Sequence, residues 1–383
     1  MTLSACGGLT DGPGAGTRDR PVVSLPGPPV VVGPSAEAGG TDGPGDPDAP
    51  VLALADVGDG PARIALDGDH VVWASTVDVP LADRQDADDF SRIVVGRVAQ
   101  RGGRPRILAR LRGYAFDELV TSRGGIYLRD GRDVLRVDRD SGRVDTVATD
   151  AVHLAANDEA AYWLACEPPA ATRGTLVREA GDGTRTTLAV TSRREIGFGP
   201  GRLAASTDGV ALDESVPTST GAWTSVVREW NANLLGDARE LVLADRAGSP
   251  TMRATDADLW FSWPGGAIDR VDRVSFTRAE STRLSVPPEK VTLPFSTPFA
   301  ESFAVAPGAF YFLAATDTGR LEHFTYSLFA STSVGGRPSR VGGDARAGER
   351  LGPSIELGAK HLFWIRREES ERDVHGILER RTR

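Results

Sequence analysis

One ten-residue pattern of apolar and polar positions recurs seven times along the chain. Each copy begins with an apolar residue and two mostly small ones, continues through a polar or glycine-rich turn, and ends in three apolar residues. The copies are Ile64–Trp73, Leu119–Leu128, Leu154–Trp163, Leu203–Leu212, Met252–Phe261, Phe303–Phe312 and Ile355–Trp364. Asp, Asn and Gly tolerate the backbone angles of tight turns. The pattern therefore predicts a strand, a turn and a second strand.

The three apolar residues that close each copy, as in Val71–Trp73, predict a buried second strand. Successive side chains of a strand point to opposite faces, so an apolar triplet is typical of a strand covered on both sides. Two further strand candidates follow most copies. They are Val134–Asp138 and Val144–Ala148 after the second copy, and Ile268–Phe276 and Thr282–Val286 after the fifth. Each repeat thus supplies four strands.

The spacing of the copies predicts the architecture. They start about 48 residues apart on average, which suits blades of four strands in a β-propeller. Only one candidate strand, Val374–Arg380, follows the last copy, and one extra apolar run, Val51–Val57, precedes the first. Pairing these two runs would complete one blade from both chain ends and remove exposed sheet edges.

We therefore predict an all-β fold, a seven-bladed β-propeller over residues 51–383 whose ring is closed by its N- and C-terminal strands. The alternative is six blades plus a hairpin, because the second copy starts only 35 residues before the third. The run Asp67–Trp73, an acidic turn followed by aliphatic and aromatic residues, resembles the bacterial repeat propellers of the NHL, YWTD and TolB kind. The chain lacks a Tyr-Trp-Thr-Asp run, so the ligand binding of YWTD modules is not carried over.

The first fifty residues have a different composition. Residues 7–50 contain 11 Gly and 9 Pro and no aromatic residue, so they cannot bury enough apolar surface to fold and are predicted to be a disordered tether. Before them, Leu3–Cys6 resembles a bacterial lipoprotein box. That resemblance implies a signal-peptide remnant over residues 1–6, a lipid on Cys6 and an extracytoplasmic place at the cell envelope. A signal peptide has an apolar stretch of about 7–15 residues. Either the reading frame therefore starts upstream, or the match is accidental.

The net charge, the lengths of the apolar runs and the number of cysteines limit which partners and sites the chain can have. With 53 acidic and 44 basic residues the net charge is −9, which argues against nucleic acid as a partner, since that binding neutralises phosphates. No run of 18 apolar residues occurs, so membrane contact is expected only through the lipid anchor. Two cysteines cannot form a disulfide framework or a four-thiolate zinc site. We expect Cys166 to be a small buried hydrophobe, and the protein to be a monomer without a cofactor.

The best candidate site is the position just before each copy, which is polar in all seven. These residues are Arg63, Glu118, His153, Arg202, Thr251, Ser302 and Ser354. The first strand of a propeller blade lines the central channel. Arg63, Glu118, His153 and Arg202 are therefore predicted to belong to a ring at the channel mouth that binds an anionic or sugar ligand. The alternative is that strand ends are polar because they meet water.

Other candidate chemistry is weak. No phosphate-binding loop, Gly-x-Ser-x-Gly elbow or His-Glu-x-x-His motif occurs, so no catalytic residue is assigned. His70 and His361 share one turn position in the first and last repeats; we interpret them as turn caps rather than metal ligands. The acidic residues Asp78, Asp83, Asp86, Asp88 and Asp89 are interpreted as a solvated loop rather than a calcium site.

Two aromatic residues, Trp223 and Trp230, are either a sugar-stacking face or part of the core, and we favour the core. The function predicted for the whole chain is a binding or scaffold module for a protein or glycan partner. The alternative is a propeller-type hydrolase or lactonase with a site at the channel mouth. Such enzymes need metal ligands on the inner strands, where the sequence places Ala155, Ala204, Ala254 and Ala304.

Overall fold

Seven antiparallel sheets of four strands each make up the part of the chain that the structure describes. This computed structural model describes residues 51–58, 60, 62–84, 91–113, 116–166, 172–191, 202–217, 223–246, 250–263, 267–283, 303–306, 309–317, 324–331, 339–342, 350–369 and 374–382. The lipidation residue Cys6 and the tether over residues 7–50 lie outside these ranges. Within them, no helical segment has the length and apolar character needed to cross a membrane.

The first three blades follow one another along the chain, each running from its inner to its outer strand. Blade 1 contains β2 (Ala62–Asp67), β3 (His70–Asp78), β4 (Ser91–Ala99) and β5 (Arg106–Arg112), with a short 3-10 helix, Leu81–Asp83, between β3 and β4. Blade 2 contains β6 (Glu118–Ser122), β7 (Gly125–Asp130), β8 (Asp133–Val137) and β9 (Val144–Ala148). Blade 3 contains β10 (Ala151–Ala156), β11 (Ala160–Cys166), β12 (Arg173–Ala180) and β13 (Arg185–Thr191).

The next three blades repeat this order. Blade 4 contains β14 (Leu203–Ala205), β15 (Gly209–Pro217), β16 (Trp223–Asn231) and β17 (Arg239–Arg246). Blade 5 contains β18 (Thr251–Ala254), β19 (Asp258–Ser262), β20 (Ala267–Asp272) and β21 (Thr277–Arg283). Blade 6 contains β22 (Phe303–Ala306), β23 (Ala309–Asp317), β24 (Phe324–Ser331) and β25 (Ser339–Gly342).

Blade 7 is built from both ends of the chain. Its strands β26 (Arg350–Leu357), β27 (His361–Glu369) and β28 (Val374–Thr382) come from the C-terminal part, and its outermost strand is β1 (Leu52–Gly58). β1 pairs antiparallel with β28, from Leu52 opposite Arg380 to Gly58 opposite Gly376. The predicted closure is thus confirmed. The six-blade alternative is wrong, because blade 2 is a complete four-stranded blade made compact by short strands and tight turns.

The hydrophobic core lies between the blades, in seven clusters of described residues that each join two adjacent blades. The closing apolar triplets explain this arrangement. Val71 and Trp73 pack against blade 7, whereas Val72, on the other face of β3, packs against blade 2. One strand therefore contributes to two clusters, as its uninterrupted apolar sequence predicted.

One strand prediction is wrong in blade 5. Ile268–Phe276 was expected to be a single strand, but β20 ends at Asp272 and a turn follows. The Asp272 carboxylate accepts hydrogen bonds from the backbone N–H and the hydroxyl of Ser275, at 2.7 and 2.8 Å. Val274 is an exposed turn residue and Phe276 has a positive φ of 51°. The turn therefore divides the expected strand, and β21 begins at Thr277, earlier than expected.

Candidate ligand site in the central channel

The inner strands of all seven blades surround a cavity of about 330 Å³ on the propeller axis. Its lining includes Arg63 and Glu118 from the predicted ring, together with Thr251 and Ser354. His153 and Arg202 are not part of the lining. His153 is fully buried in blade 3, and Arg202 is buried in blade 4. Ser302 lies outside the described residues. The structure therefore brings Arg63, Glu118, Thr251 and Ser354 to the channel, whereas the buried His153 and Arg202 do not line it.

Hydrogen bonds from two neighbouring strands fix the Glu118 carboxylate at the channel mouth. Its Oε2 accepts hydrogen bonds from Nε of Arg129, at 2.6 Å, and from the backbone N–H of Leu154, at 2.9 Å. Leu154 belongs to the inner strand of the next blade, so the carboxylate joins blade 2 to blade 3. Arg129 also pairs with Asp117 at 2.9 Å. Glu118 thus satisfies one backbone donor of an inner strand, which has a sheet partner on one edge only.

Ser354 makes the same kind of connection between blades 7 and 1. Its hydroxyl accepts a hydrogen bond from the backbone N–H of Ile64 at 3.0 Å. Ser354 and Glu118 precede their copies of the repeat, and Ile64 and Leu154 are the first residues of the copies that follow. A polar residue at this repeat position therefore joins adjacent blades. Contact with water alone does not explain why these residues are polar, because Ser354 and Glu118 each accept a hydrogen bond from the next blade.

The pair formed by Arg202 and Asp213 in blade 4 has the opposite arrangement of charges to the pair formed by Glu118 and Arg129 in blade 2. Glu118 lies opposite Arg129 on the neighbouring strand, and Arg202 lies at the corresponding place beside Asp213, whose N–H donates to the Arg202 carbonyl at 2.9 Å. Burial lowers the pKa of Arg202, while the negative charge of Asp213 acts in the opposite direction. A buried guanidinium needs such a partner, because desolvation penalises its charged form.

Two charged residues that the sequence analysis missed face the cavity two residues further along the inner strands. They are Arg253 of blade 5 and Glu356 of blade 7, with Nη1 and Oε1 3.9 Å apart. The equivalent residues of the other blades are all small or apolar, namely Ala65, Val120, Ala155, Ala204 and Ala304. Burial raises the pKa of Glu356, and the positive charge of Arg253 acts in the opposite direction.

The strand register explains why these two residues were missed. The residue that the repeat pattern predicts for the inner wall of blade 5 is Ala254, and it lines the cavity beside Arg253. In the structure Arg253 lies opposite Trp260, just as Ala304 lies opposite Tyr311 and Glu356 opposite Phe363. A comparison of the second residue of every copy would have identified Arg253 and Glu356, because that residue is uncharged in the other five copies.

The histidine and cysteine candidates show no shared site among the described residues. Nδ1 of His70 lies 2.6 Å from Oδ1 of Asp69 in the same turn. Burial, assisted by the charges of Arg380 and Lys360, lowers the pKa of His361. Cys166 is buried as expected. Among the described residues, no group of three or more His, Cys, Asp and Glu side chains is placed to hold a metal ion.

The remaining candidates lie away from the channel or outside the described residues. Trp230 is buried in the cluster between blades 3 and 4, as the core interpretation predicted; the side chain of Trp223 is not described. In the acidic loop Asp78 is exposed, while Asp86, Asp88, Asp89 and the side chain of Asp83 lie outside the description. A calcium site there stays untested.

Two solved structures share this fold at low sequence identity. The β-propeller domain of the Trilobed protease from Pyrococcus furiosus has a TM-score of 0.54 and 9% identity, over 84% of this chain and 95% of that chain. A chain of the mitotic checkpoint complex has a TM-score of 0.53 and 12% identity, over 91% of this chain and 98% of that chain. No family model and no curated protein sequence matches the chain.

These likenesses establish the β-propeller fold and no more. The protease domain is described as having an open velcro topology, whereas in this chain β1 pairs with β28 and closes the ring. The resemblance to the bacterial repeat propellers and to a lipoprotein box stays a prediction.

Proposed function

We propose that this chain is an extracytoplasmic binding or scaffold module that holds a protein or glycan partner. Its propeller would be a rigid platform at the cell envelope. A lipid on Cys6 would attach it to the membrane, and residues 7–50 would be the spacer. The negative net charge of −9 supports a partner other than nucleic acid. In this proposal the protein acts as a monomer and without a cofactor.

The observation that carries this proposal is that Glu118 is already hydrogen-bonded to Arg129 and to the next blade. A hydrolase at the channel mouth needs a group that gives or takes protons, and Glu118 is an acidic side chain that lines the cavity there. The Glu118 carboxylate is 8% exposed and accepts hydrogen bonds from Arg129 and Leu154. Both hydrogen bonds are accepted by Oε2, so the carboxylate is engaged in holding Arg129 and the inner strand of blade 3. Its role in joining blades favours a platform over a catalyst.

The channel mouth also offers a contact surface for a partner. Asp117 is 44% exposed at its side chain and lines the cavity, as does the half-buried Arg63. Fold alone does not determine function, although the mitotic checkpoint complex shows by its name that a protein of this fold occurs in an assembly. We expect the partner of this chain to contact the mouth around these two side chains.

Photo-crosslinking on cells tests this contact. A photoreactive residue replaces Asp117 in the full-length chain, and the matched control carries it at Thr187, an exposed position on the outermost strand of blade 3. We expect one partner, protein or glycan, to crosslink from position 117 and not from position 187, and the crosslink to weaken in Arg63→Ala. Equal labelling from both positions would contradict a partner site at the mouth.

The alternative function is tested on the same full-length protein with a panel of ester, lactone and glycoside substrates. We expect no turnover above that of a heat-unfolded sample. Turnover that Glu118→Gln abolishes, in a variant with an unchanged circular dichroism spectrum, would replace the scaffold proposal with a hydrolase.

The anchor is tested by palmitate labelling in the native host, with the chain expressed from its own genomic locus. We expect incorporation that Cys6→Ser abolishes and Cys166→Ser, the buried control, leaves unchanged. Label that persists in Cys6→Ser would show that the box is a chance match.

A further inference from the structure

We propose that the central channel binds a small zwitterion of the α-amino acid class, with Arg253 receiving its carboxylate and Glu356 its ammonium group. This site is independent of the partner contact proposed for the mouth, since it lies two residues further inside the channel. The proposal rests on three properties of the pair: its loose geometry, its position facing a cavity, and the chemistry of the surrounding wall.

The two side chains approach each other without forming a hydrogen bond. Their nearest atoms are 3.9 Å apart, whereas ion pairs between paired strands of one blade can be much shorter: 2.6 Å between Arg129 and Glu118 in blade 2 and 2.7 Å between Arg366 and Glu379 in blade 7. A charge-assisted hydrogen bond measures about 2.7–2.9 Å. Within the described part of the chain, the buried Nε–H of Arg253 also lacks an acceptor. At 3.9 Å from Glu356 and with its side chain 37% exposed, the guanidinium is not held by a close hydrogen bond to this partner and can receive an incoming carboxylate.

The position of the pair is that of a binding site. Arg253 and Glu356 belong to blades 5 and 7, which are not neighbours, and they meet past Ala304 of blade 6. Their side chains are 37% and 26% exposed, and the exposed part faces the cavity that they line. An alanine at position 304 leaves room for both long side chains to converge.

The chemistry of the wall selects a ligand with two opposite charges. A ligand with one charge would separate Arg253 from Glu356 and leave the other residue without compensation in a narrow channel, which is costly. A zwitterion replaces the single loose pair with two close ones, including a two-point contact between guanidinium and carboxylate. Burial already raises the pKa of Glu356, so a cationic ammonium beside it relieves an existing penalty.

The size of the cavity limits the ligand further. Ligand pockets span about 300–1,000 Å³, and this cavity, at about 330 Å³, is at the lower end. Ala65, Ala155 and Ala204 form the wall around the charged pair, and they offer apolar contact to a small side chain. A single amino acid with a small or aliphatic side chain matches these features better than a peptide does.

Titration calorimetry on the unmodified full-length chain tests the proposal directly. The probes are the twenty free amino acids, together with the amide of each small aliphatic one, which lacks the carboxylate, and its N-acetyl derivative, which lacks the ammonium group. We expect one-to-one binding of at least one small aliphatic amino acid, with at least tenfold loss for the corresponding amide and N-acetyl compound. No binding by any amino acid up to roughly 10 mM, a range that covers weak millimolar ligands, would overturn the proposal. Equal binding of the single-charge compounds would also overturn it.

Variants locate the site. Arg253→Ala and Glu356→Gln are each expected to weaken amino-acid binding at least tenfold. Their matched controls are Arg143→Ala and Asp145→Asn, which alter an ion pair at the outer edge of blade 2, 2.9 Å long, and are expected to bind as the unmodified chain does. Circular dichroism confirms that each variant is folded. Unchanged binding in the two channel variants would show that the amino acid binds elsewhere and would refute the assignment. The partner contact at the mouth is tested separately, by crosslinking from position 117.

Discussion

Arg139 binds Asp67 across the interface between blades 2 and 1, with Nε 2.9 and 2.7 Å from the two carboxylate oxygens. The sequence around Arg139 recurs three blades later. Arg-Val-Asp-Arg spans the end of the third strand and the start of the following turn, at residues 136–139 in blade 2 and 270–273 in blade 5. Arg273 likewise reaches back to the preceding blade, where its Nε donates to Glu229 at 2.5 Å. One short motif thus supplies an arginine that joins a blade to its predecessor.

The first prediction concerns this connection. Arg139→Ala is expected to lower the free energy of unfolding by about 1–3 kcal/mol, because it leaves the largely buried Asp67 carboxylate without its guanidinium partner. Chemical denaturation of Arg139→Ala, Asp67→Ala and the double variant measures the coupling between the two residues.

The matched control is Arg123→Ala, whose side chain pairs with Glu159 in solvent at 3.4 Å. Exposed pairs of this kind contribute about 0–1 kcal/mol. If Arg123→Ala cost as much as Arg139→Ala, or if the effects of the two Arg139–Asp67 variants simply added, the contact between blades would carry no special stability.

The second prediction concerns ring closure. Leu54 of β1 is buried between blades 7 and 1, so Leu54→Ala is expected to lower the free energy of unfolding by about 2–5 kcal/mol. The control is Val51→Ala, which alters an exposed residue just before β1 and should change little. Thermal unfolding also tests the deletion of residues 51–57. A deleted chain that melted at the temperature of the intact one would contradict closure by β1.

Much of the fold was predictable because its cause is local. A strand buried on both faces needs uninterrupted apolar residues, and the seven closing triplets carry that signal in ten-residue windows. Closure of the ring was predictable from the number of strands, because one extra apolar run precedes the first repeat and the last repeat lacks one strand at the C-terminal end. The turn after Asp272 was not, because Val274 and Phe276 are apolar residues of types common in strands, and the hydrogen bonds from Ser275 to Asp272 form the turn instead.

The candidate site was predictable only in part. Repeat position marks which residues lie on inner strands, and Arg63 and Glu118 do line the channel. Repeat position does not tell which of these side chains reach the cavity, and the buried His153 and Arg202 do not. The contact between Arg253 and Glu356 joins repeats that are two blades apart, so it depends on the ring geometry, which the local pattern does not contain.

The third prediction concerns the glycine opposite a core tryptophan. Gly96 of β4 lies opposite Trp73 of β3, and a Cβ at position 96 would come within 2.2 Å of Cζ2 of the indole ring. Gly96→Ala is therefore expected to lower the free energy of unfolding by about 1–3 kcal/mol through overpacking.

The partner variant for this test is Trp73→Phe, which makes room at the same place. Denaturation of the two single variants and the double variant should show a smaller cost for Gly96→Ala when residue 73 is phenylalanine. A cost independent of residue 73 would mean that the indole ring is not what requires glycine at position 96.

The last prediction concerns alkaline pH. Burial, followed by the charge and hydrogen bond of Glu179, raises the pKa of Tyr127 from 10.0 to about 12. The phenol donates to Glu179 at 2.9 Å, in an interface between blades 2 and 3. The folded protein therefore retains this proton at a pH where the unfolded chain has lost it. The contribution of Tyr127 to stability is constant below about pH 10 and falls as the pH rises towards 12.

Denaturation of the unmodified chain and of Tyr127→Phe, at intervals between pH 8 and pH 12, measures this contribution as a difference. Near pH 8 we expect Tyr127→Phe to be less stable by about 0.5–1.5 kcal/mol, the value of one hydrogen bond, while Glu179 keeps its ion pairs with Arg136 and Arg185. Above pH 10 the difference should shrink and then change sign, because phenylalanine has no proton to lose. Parallel stability curves over the whole interval would mean that Tyr127 titrates normally and that its hydroxyl is not confined between the blades.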